Sequence, residues 1–83
     1  MKVDVTGGRI TVDAADLAPL LELEPDAFQR HMQAGDIAIL SETGQGDDAG
    51  RFRVTFRANG WKVRLTCAAD GTVLKRFRAR IGA

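Results

Sequence analysis

The second half of the chain contains three consecutive stretches in which apolar and polar side chains alternate. They are residues 51–57, 61–67 and 72–80. A two-residue period is that of a β-strand with one buried face, so each stretch is predicted to be a strand. Asn59-Gly60 and Asp70-Gly71 separate the stretches, and both pairs favour the tight turns that join antiparallel strands. The sequence therefore predicts an antiparallel sheet whose neighbouring strands follow one another along the chain.

The first half of the chain predicts a hairpin, two helices and a further strand. Apolar and polar residues alternate on both sides of a Gly-Gly pair, which indicates a short N-terminal hairpin. Asp13 is suited to cap a first helix, and Pro25 is expected to end that helix and to begin a second one. Gly35 is predicted to end the second helix in the left-handed conformation. Residues 37–42 then form a strand, which a glycine-rich loop over residues 43–50 connects to the alternating stretches.

Together these elements predict one α+β domain over residues 1–83, built in two layers. An antiparallel β-sheet, made of the N-terminal hairpin and a four-strand meander, is covered on one face by the two helices. Leu17, Leu20 and Leu21 supply the helical side of the core. The sheet supplies the apolar residues that alternate along its strands, which we call the apolar phase. They are Phe52, Val54, Phe56, Trp61, Val63, Leu65, Cys67, Val73 and Phe77.

The opposite phase of the same strands carries eight cations. They are Arg51, Arg53, Arg57, Lys62, Arg64, Arg76, Arg78 and Arg80. Because the helices are expected to cover the apolar face, these cations are predicted to stand together on the uncovered face. Leu74 and Lys75 do not fit this pattern, since Leu74 has the basic phase and Lys75 has the apolar phase.

Charge is distributed unevenly between the two halves of the chain. Residues 1–50 contain ten acidic and three basic residues, whereas residues 51–83 contain nine basic residues and one acidic residue. Like charges on adjacent strands repel, so eight cations on one face favour an anionic partner over a face that is merely solvated. The candidate residues for binding such a partner are Arg53, Arg57, Lys62, Arg64, Arg76 and Arg78.

Two classes of anionic partner are compatible with this basic face. Sheets that bind single-stranded nucleic acid usually carry aromatic side chains among the basic ones, but here every aromatic residue is predicted to face the core. We therefore expect a non-enzymatic interaction module that docks an acidic protein surface, or the acidic half of a second copy in a homodimer. Nucleic acid, held mainly through its phosphate backbone, is the alternative.

Two further motifs of the sequence resemble nucleic-acid or phosphate sites. Residues 17–37 resemble a helix-turn-helix segment whose second helix would present Gln29, Arg30 and Gln33 to DNA. The acidic residues beside the N-terminus of that helix would repel phosphates, so an ordinary helical hairpin is favoured. The glycine-rich loop has neither the lysine nor the hydroxyl of a phosphate-binding loop.

The chain has one histidine, His31, and one cysteine, Cys67. This pair cannot build a cysteine-based or histidine-rich metal site, and neither a metal nor a cofactor is expected. Cys67 has the apolar phase, so we expect a buried inert thiol rather than a nucleophile activated by His31, and no enzymatic activity. An unpaired cysteine suits the reducing cytoplasm, and no apolar run suggests a signal peptide or a membrane-spanning helix.

Three segments of the chain carry a family resemblance. They are residues 10–14, 23–37 and 47–56, with the sequences ITVDA, LEPDAFQRHMQAGDI and DDAGRFRVTF. In these segments the chain resembles a group of small bacterial proteins that contain a domain of unknown function. The resemblance implies a stand-alone domain, and it assigns no functional residue.

Overall fold

A computed structural model describes residues 1–44 and 50–81. The elements along the chain are β1 (Val3–Thr6), β2 (Arg9–Val12), α1 (Ala14–Leu17), a 3-10 helix (Ala18–Leu21), α2 (Pro25–Ala34), β3 (Ala38–Thr43), β4 (Phe52–Ala58), β5 (Trp61–Cys67) and β6 (Val73–Arg80). β1 and β2 form a two-stranded sheet, while β3 to β6 form an antiparallel four-stranded sheet in sequence order. The predicted α+β architecture is confirmed. The predicted glycine-rich loop falls largely on residues 45–49, which lie outside the described residues.

Proline and glycine determine where the helical segments begin and end. The prediction of a continuous first helix up to Pro25 is wrong, because α1 stops at Leu17 and a 3-10 helix follows. Pro19 has no N–H with which to continue the α-helical hydrogen bonds, and the shorter 3-10 pattern takes over. As predicted, Pro25 begins α2 and Gly35 ends it in the left-handed conformation, with a φ of 75°.

The helical layer packs against one face of the four-stranded sheet, which we call the inner face. The buried apolar side chains from the helices are Leu17, Ala18, Leu21 and Phe28, and those from β4 and β5 are Val54, Phe56, Val63, Leu65 and Cys67. Burying one large side chain of this kind stabilises the fold by about 2 kcal/mol. Among the helices that the structure describes, none is long and apolar enough to cross a membrane.

The turn between β4 and β5 sets which side chains share a face. Asn59 and Gly60 both have positive φ, of 55° and 77°, as a two-residue hairpin turn of type I′ requires. The resulting register pairs Phe56 with Val63 on the inner face. On the opposite side of the sheet, which we call the outer face, it pairs Arg57 with Lys62. The predicted faces of these two strands are therefore confirmed.

A β-bulge interrupts the pairing of β5 with β6. Cys67 pairs with Val73, but the preceding residue Thr66 pairs with Lys75, so Leu74 is an extra residue in β6. Side chains alternate between the two faces of a strand, and one extra residue reverses the alternation beyond it. Every residue of β6 after Leu74 thus lies on the face opposite to the one that its phase predicted.

This reversal corrects the predicted orientation of β6. Phe77 was expected on the inner face, but it pairs with Arg64 and lies on the outer face, half exposed. Lys75, which did not fit the predicted pattern, lies on the outer face with it. The three residues that were expected on the outer face and lie on the inner face are Arg76, Arg78 and Arg80.

The N-terminal hairpin is attached to the sheet through the turn before β6. The Val3 N–H donates to the Gly71 carbonyl at 2.8 Å, and the Val73 N–H donates to the Met1 carbonyl at 3.1 Å. Gly71 is buried, has a φ of 94°, and leaves no space for a Cβ, which would collide with the Val3 carbonyl oxygen. Only glycine satisfies both the backbone conformation and this close approach.

Substituting this glycine should loosen the attachment of the hairpin. We expect Gly71→Ala to lower the free energy of unfolding by about 3 kcal/mol, measured by urea denaturation, through backbone strain and collision together. Gly8→Ala is the matched control, because Gly8 has a φ of 80° but open space around it. In that variant the free energy of unfolding should fall by only about 1 kcal/mol. Equal losses in the two variants would contradict the packing role of Gly71.

Candidate functional site

The outer face of the four-stranded sheet consists of three rows of paired residues. The first row is Ala38, Arg57, Lys62 and Ala79, the second is Leu40, Thr55, Arg64 and Phe77, and the third is Glu42, Arg53, Thr66 and Lys75. Five cations and one carboxylate therefore share this face. Leu40 and Phe77 add two large apolar side chains that are 58% and 52% exposed. The face thus combines positive charge with accessible apolar surface.

The structure brings together four of the six candidate residues chosen from the sequence. They are Arg53, Arg57, Lys62 and Arg64. The predicted orientation of Arg76 and Arg78 is wrong, because the bulge at Leu74 reverses the alternation of β6. Arg76 nevertheless lines the same depression as Arg53 and Arg64, whereas Arg78 does not. Lys75 is the cation of β6 that the outer face contains instead. Sequence reasoning missed it, although its misfit beside Leu74 was a signal of the altered register.

Arg78 is used to hold the helical layer on the sheet. Its Nε donates to the Leu20 carbonyl at 2.8 Å, and its guanidinium lies 3.7 Å from the centre of the Trp61 ring. Carbonyl groups at the end of a helical turn lack partners within the helix and carry partial negative charge, so a cation is favoured there. These contacts give the Arg78 side chain a structural role.

Glu22 completes the contact between the helical layer and the sheet. Its carboxylate accepts a hydrogen bond from the Trp61 Nε1 at 2.5 Å and lies 3.6 Å from the Arg80 guanidinium. The Asn59 side chain donates to the Leu21 carbonyl at 2.9 Å beside it. Glu22 has a φ of 54°, a conformation that usually favours glycine, and these contacts explain why a glutamate occupies it.

A comparison of two variants can separate the contacts of Arg78 from the effect of its charge on stability. We expect Arg78→Gln to lower the free energy of unfolding by about 1 to 2 kcal/mol, because it loses a charged hydrogen bond and a cation–π contact. Trp61 is the single tryptophan, so its fluorescence should report the loosened contact during urea denaturation. Arg76→Gln removes the same charge from the same strand and should change stability by less than about 0.5 kcal/mol. The assignment fails if both variants are equally stable.

Arg57 and Lys62 form the most concentrated charge on the outer face. They lie directly opposite each other on β4 and β5. Together with Arg64 and Leu40 they line an open depression of about 270 Å³. No carboxylate among the described residues pairs with either cation. In contrast, Arg53 is already engaged in an interaction of its own.

Phe77 and Arg64 lie between the two ends of the outer face. The Arg64 guanidinium is 6.0 Å from the centre of the Phe77 ring, and Arg64 lines depressions on both of its sides. The second depression has a volume of about 320 Å³ and includes Lys75, Thr66 and the Phe77 ring. The Arg64 Nε is buried and has no hydrogen-bond partner among the described residues. Positive charge and an exposed aromatic ring therefore occur side by side.

His31 and Cys67 occupy different environments. His31 is exposed at the end of α2, where its Nδ1 lies 3.2 Å from the Asp36 carboxylate. Cys67 is fully buried on the inner face of the sheet, where a dissolved substrate does not reach its thiol. Within residues 1–44 and 50–81, no group of three His, Cys, Asp or Glu side chains could hold a metal ion.

Burial of Cys67 should make stability depend on pH in the alkaline range. Desolvation raises the pKa of the thiol, so the folded state keeps its proton at a pH where the unfolded chain has begun to lose it. The free energy of unfolding should therefore fall as the pH rises above about 8.5, the ordinary thiol pKa, until the folded pKa is reached. Urea denaturation on both sides of that pH should show a smaller decrease for Cys67→Val. Identical pH dependence in the two proteins would contradict the effect of burial.

Comparison with known proteins assigns the chain to a family. Residues 1–83 match the family model of DUF6522, which is described as a family of unknown function. No curated protein and no solved structure matches the chain. The predicted resemblance to a small domain family without an established activity is therefore confirmed. Because the match covers the full length, this chain belongs to DUF6522, a family of unknown function.

Proposed function

We propose that this protein is a non-enzymatic interaction module that binds an anionic partner on the outer face of its sheet. The pairing of Arg57 with Lys62 carries the proposal. Like charges in directly opposed positions destabilise a sheet, and an anion bound between them converts the repulsion into two attractions. A face selected only for solubility would be served equally well by charges of both signs.

The surroundings of this pair support binding of an extended partner. Arg64 lies beside Lys62 on the same face, two residues further along β5, and Lys75 lies on the adjacent strand. Leu40 borders the depression and offers an apolar contact. A partner that spans several strands would therefore contact at least three cations, which favours a polyanion over a single small ion.

The position of the acidic residues bears on whether a second copy could be the partner. Exposed carboxylates of the helical layer, such as Asp16, Glu24 and Asp26, lie on the opposite side of the sheet from the basic face. A two-fold dimer joins identical surfaces, so it cannot place each acidic layer on the other basic face. Copies docked in this way would form an open head-to-tail chain. A separate anionic molecule therefore fits better than a homodimer, and an acidic protein surface with an apolar contact for Leu40 is the second candidate.

The proposed setting is the bacterial cytoplasm. The bacterial origin rests on the resemblance of the three sequence segments to small bacterial proteins. The compartment rests on Cys67, which is unpaired and suits a reducing environment.

Removing the opposed cations should weaken binding of a polyanion. We expect the double variant Arg57→Gln/Lys62→Gln to elute from a heparin column at a clearly lower salt concentration than the wild-type protein. The variant makes fewer ionic contacts with heparin, so its binding releases fewer counterions. The matched control is Arg9→Gln/Arg30→Gln, which removes the same charge from exposed positions outside the outer face.

The control separates a local site from general positive charge. If both double variants elute together, net charge alone governs retention and the outer face is not the binding site. Light scattering adds a second readout on the wild-type protein. A mass that rises with protein concentration and falls on adding salt would indicate copies of the chain as the partner and would overturn the preference for a separate molecule.

A further inference from the structure

We infer that the anionic partner is a single-stranded nucleic acid, with an unpaired base stacked on Phe77 and its phosphates beside Lys62, Arg64 and Lys75. This inference rests on the proposed function, because it names the partner class of the same face. It goes beyond that function by giving the aromatic ring a role.

The position of Phe77 is the first observation. The ring lies on the outer face near the middle of β6 and is 52% exposed, and it is not part of the buried core. An aromatic residue exposed among cations gains little from its own protein, since its apolar surface stays in contact with water. Four-stranded antiparallel sheets that bind single-stranded RNA use exposed aromatic rings among basic residues as stacking platforms.

The distance between Arg64 and Phe77 is the second observation. At 6.0 Å from the ring centre, the Arg64 guanidinium is not stacked on the ring as Arg78 is on Trp61, at 3.7 Å. The ring face is therefore not closed by a guanidinium in direct contact. Arg64 also lines the depression beside the ring, so its charge lies next to the place where a phosphate of a stacked nucleotide would bind.

The chemistry of the depression beside Phe77 distinguishes nucleic acid from an acidic peptide. The carboxylates of an acidic peptide would pair with the cations, but they would not stack on the ring. A nucleotide carries a flat base and a phosphate on one unit, so it matches a ring with Arg64 and Lys75 beside it.

The shape of the outer face favours a single strand over a duplex. Bases in a duplex are already stacked and paired, so they cannot lie flat on a protein ring without being extruded. Sequence readout of a duplex needs an element that enters a groove, usually a helix or a two-stranded ribbon. The basic face is a four-stranded sheet, and the helices pack on its other side. A strand laid across the sheet could instead reach the cations of β4, β5 and β6.

The experiment compares three anionic probes by fluorescence anisotropy on the folded protein. They are a labelled thymidine oligonucleotide about ten nucleotides long, an abasic oligonucleotide of the same length, and polyglutamate. We expect the thymidine oligonucleotide to bind at least about fivefold more tightly than the abasic one, because stacking of a base on a ring contributes roughly 1 kcal/mol or more. Phe77→Leu should remove this preference, and Phe77→Tyr should keep it.

The controls test whether the effect belongs to the ring. Val5→Ala shortens an exposed apolar residue of β1, outside the outer face, and it should leave the preference for the thymidine oligonucleotide unchanged. Trp61 fluorescence should show that each variant keeps the native contact between the layers. Equal binding of the two oligonucleotides, or binding of polyglutamate alone, would overturn the inference and leave the proposed function standing. Failure of all three probes to bind would overturn both.

Discussion

The hydrogen-bond register between β5 and β6 decides what each face of the sheet can do. Strand side chains alternate, so the extra residue at Leu74 redirects the rest of β6. With continuous pairing, the Phe77 ring would enter the core side and Arg78 would stand in solvent. With the bulge, Arg78 reaches the last turn of the 3-10 helix and the ring stays outside. A single backbone irregularity thus produces both the attachment of the helical layer and the composition of the candidate binding face.

The strong charge asymmetry of the sequence divides into two separate roles in the fold. Arg78 and Arg80 on the inner side of β6 meet the ring of Trp61, and the first binds a helix-end carbonyl while the second lies near the Glu22 carboxylate. These contacts use cations to join two layers of opposite overall charge. On the outer face, in contrast, no carboxylate among the described residues pairs with Arg57 or Lys62. The contacts of each arginine within the fold, more than the charge of a whole segment, therefore determine which arginines can bind a ligand.

Most of the fold could be predicted because its elements are controlled by local chemistry. Asn59-Gly60 imposes a tight turn, Pro25 starts a helix and Gly35 ends it, and each acts through its own backbone preferences. The bulge could not be predicted in the same way, since no glycine or proline marks it and only the mismatched phases of Leu74 and Lys75 pointed to it. The contact of Glu22 with Trp61 also could not be predicted from the sequence, because it joins residues far apart along the chain.

The close approach of Val3 to Gly71 has a consequence for the order of folding. The hairpins from β3 to β6 join strands that are neighbours in the sequence, whereas this contact joins residues near opposite ends of the chain. Closing a longer loop loses more chain entropy, so the meander should form before the N-terminal hairpin reaches its place. Contacts that form after the transition state affect the unfolding rate more than the folding rate. We therefore expect the contact between the hairpin and Gly71 to slow unfolding of the sheet more than it speeds folding.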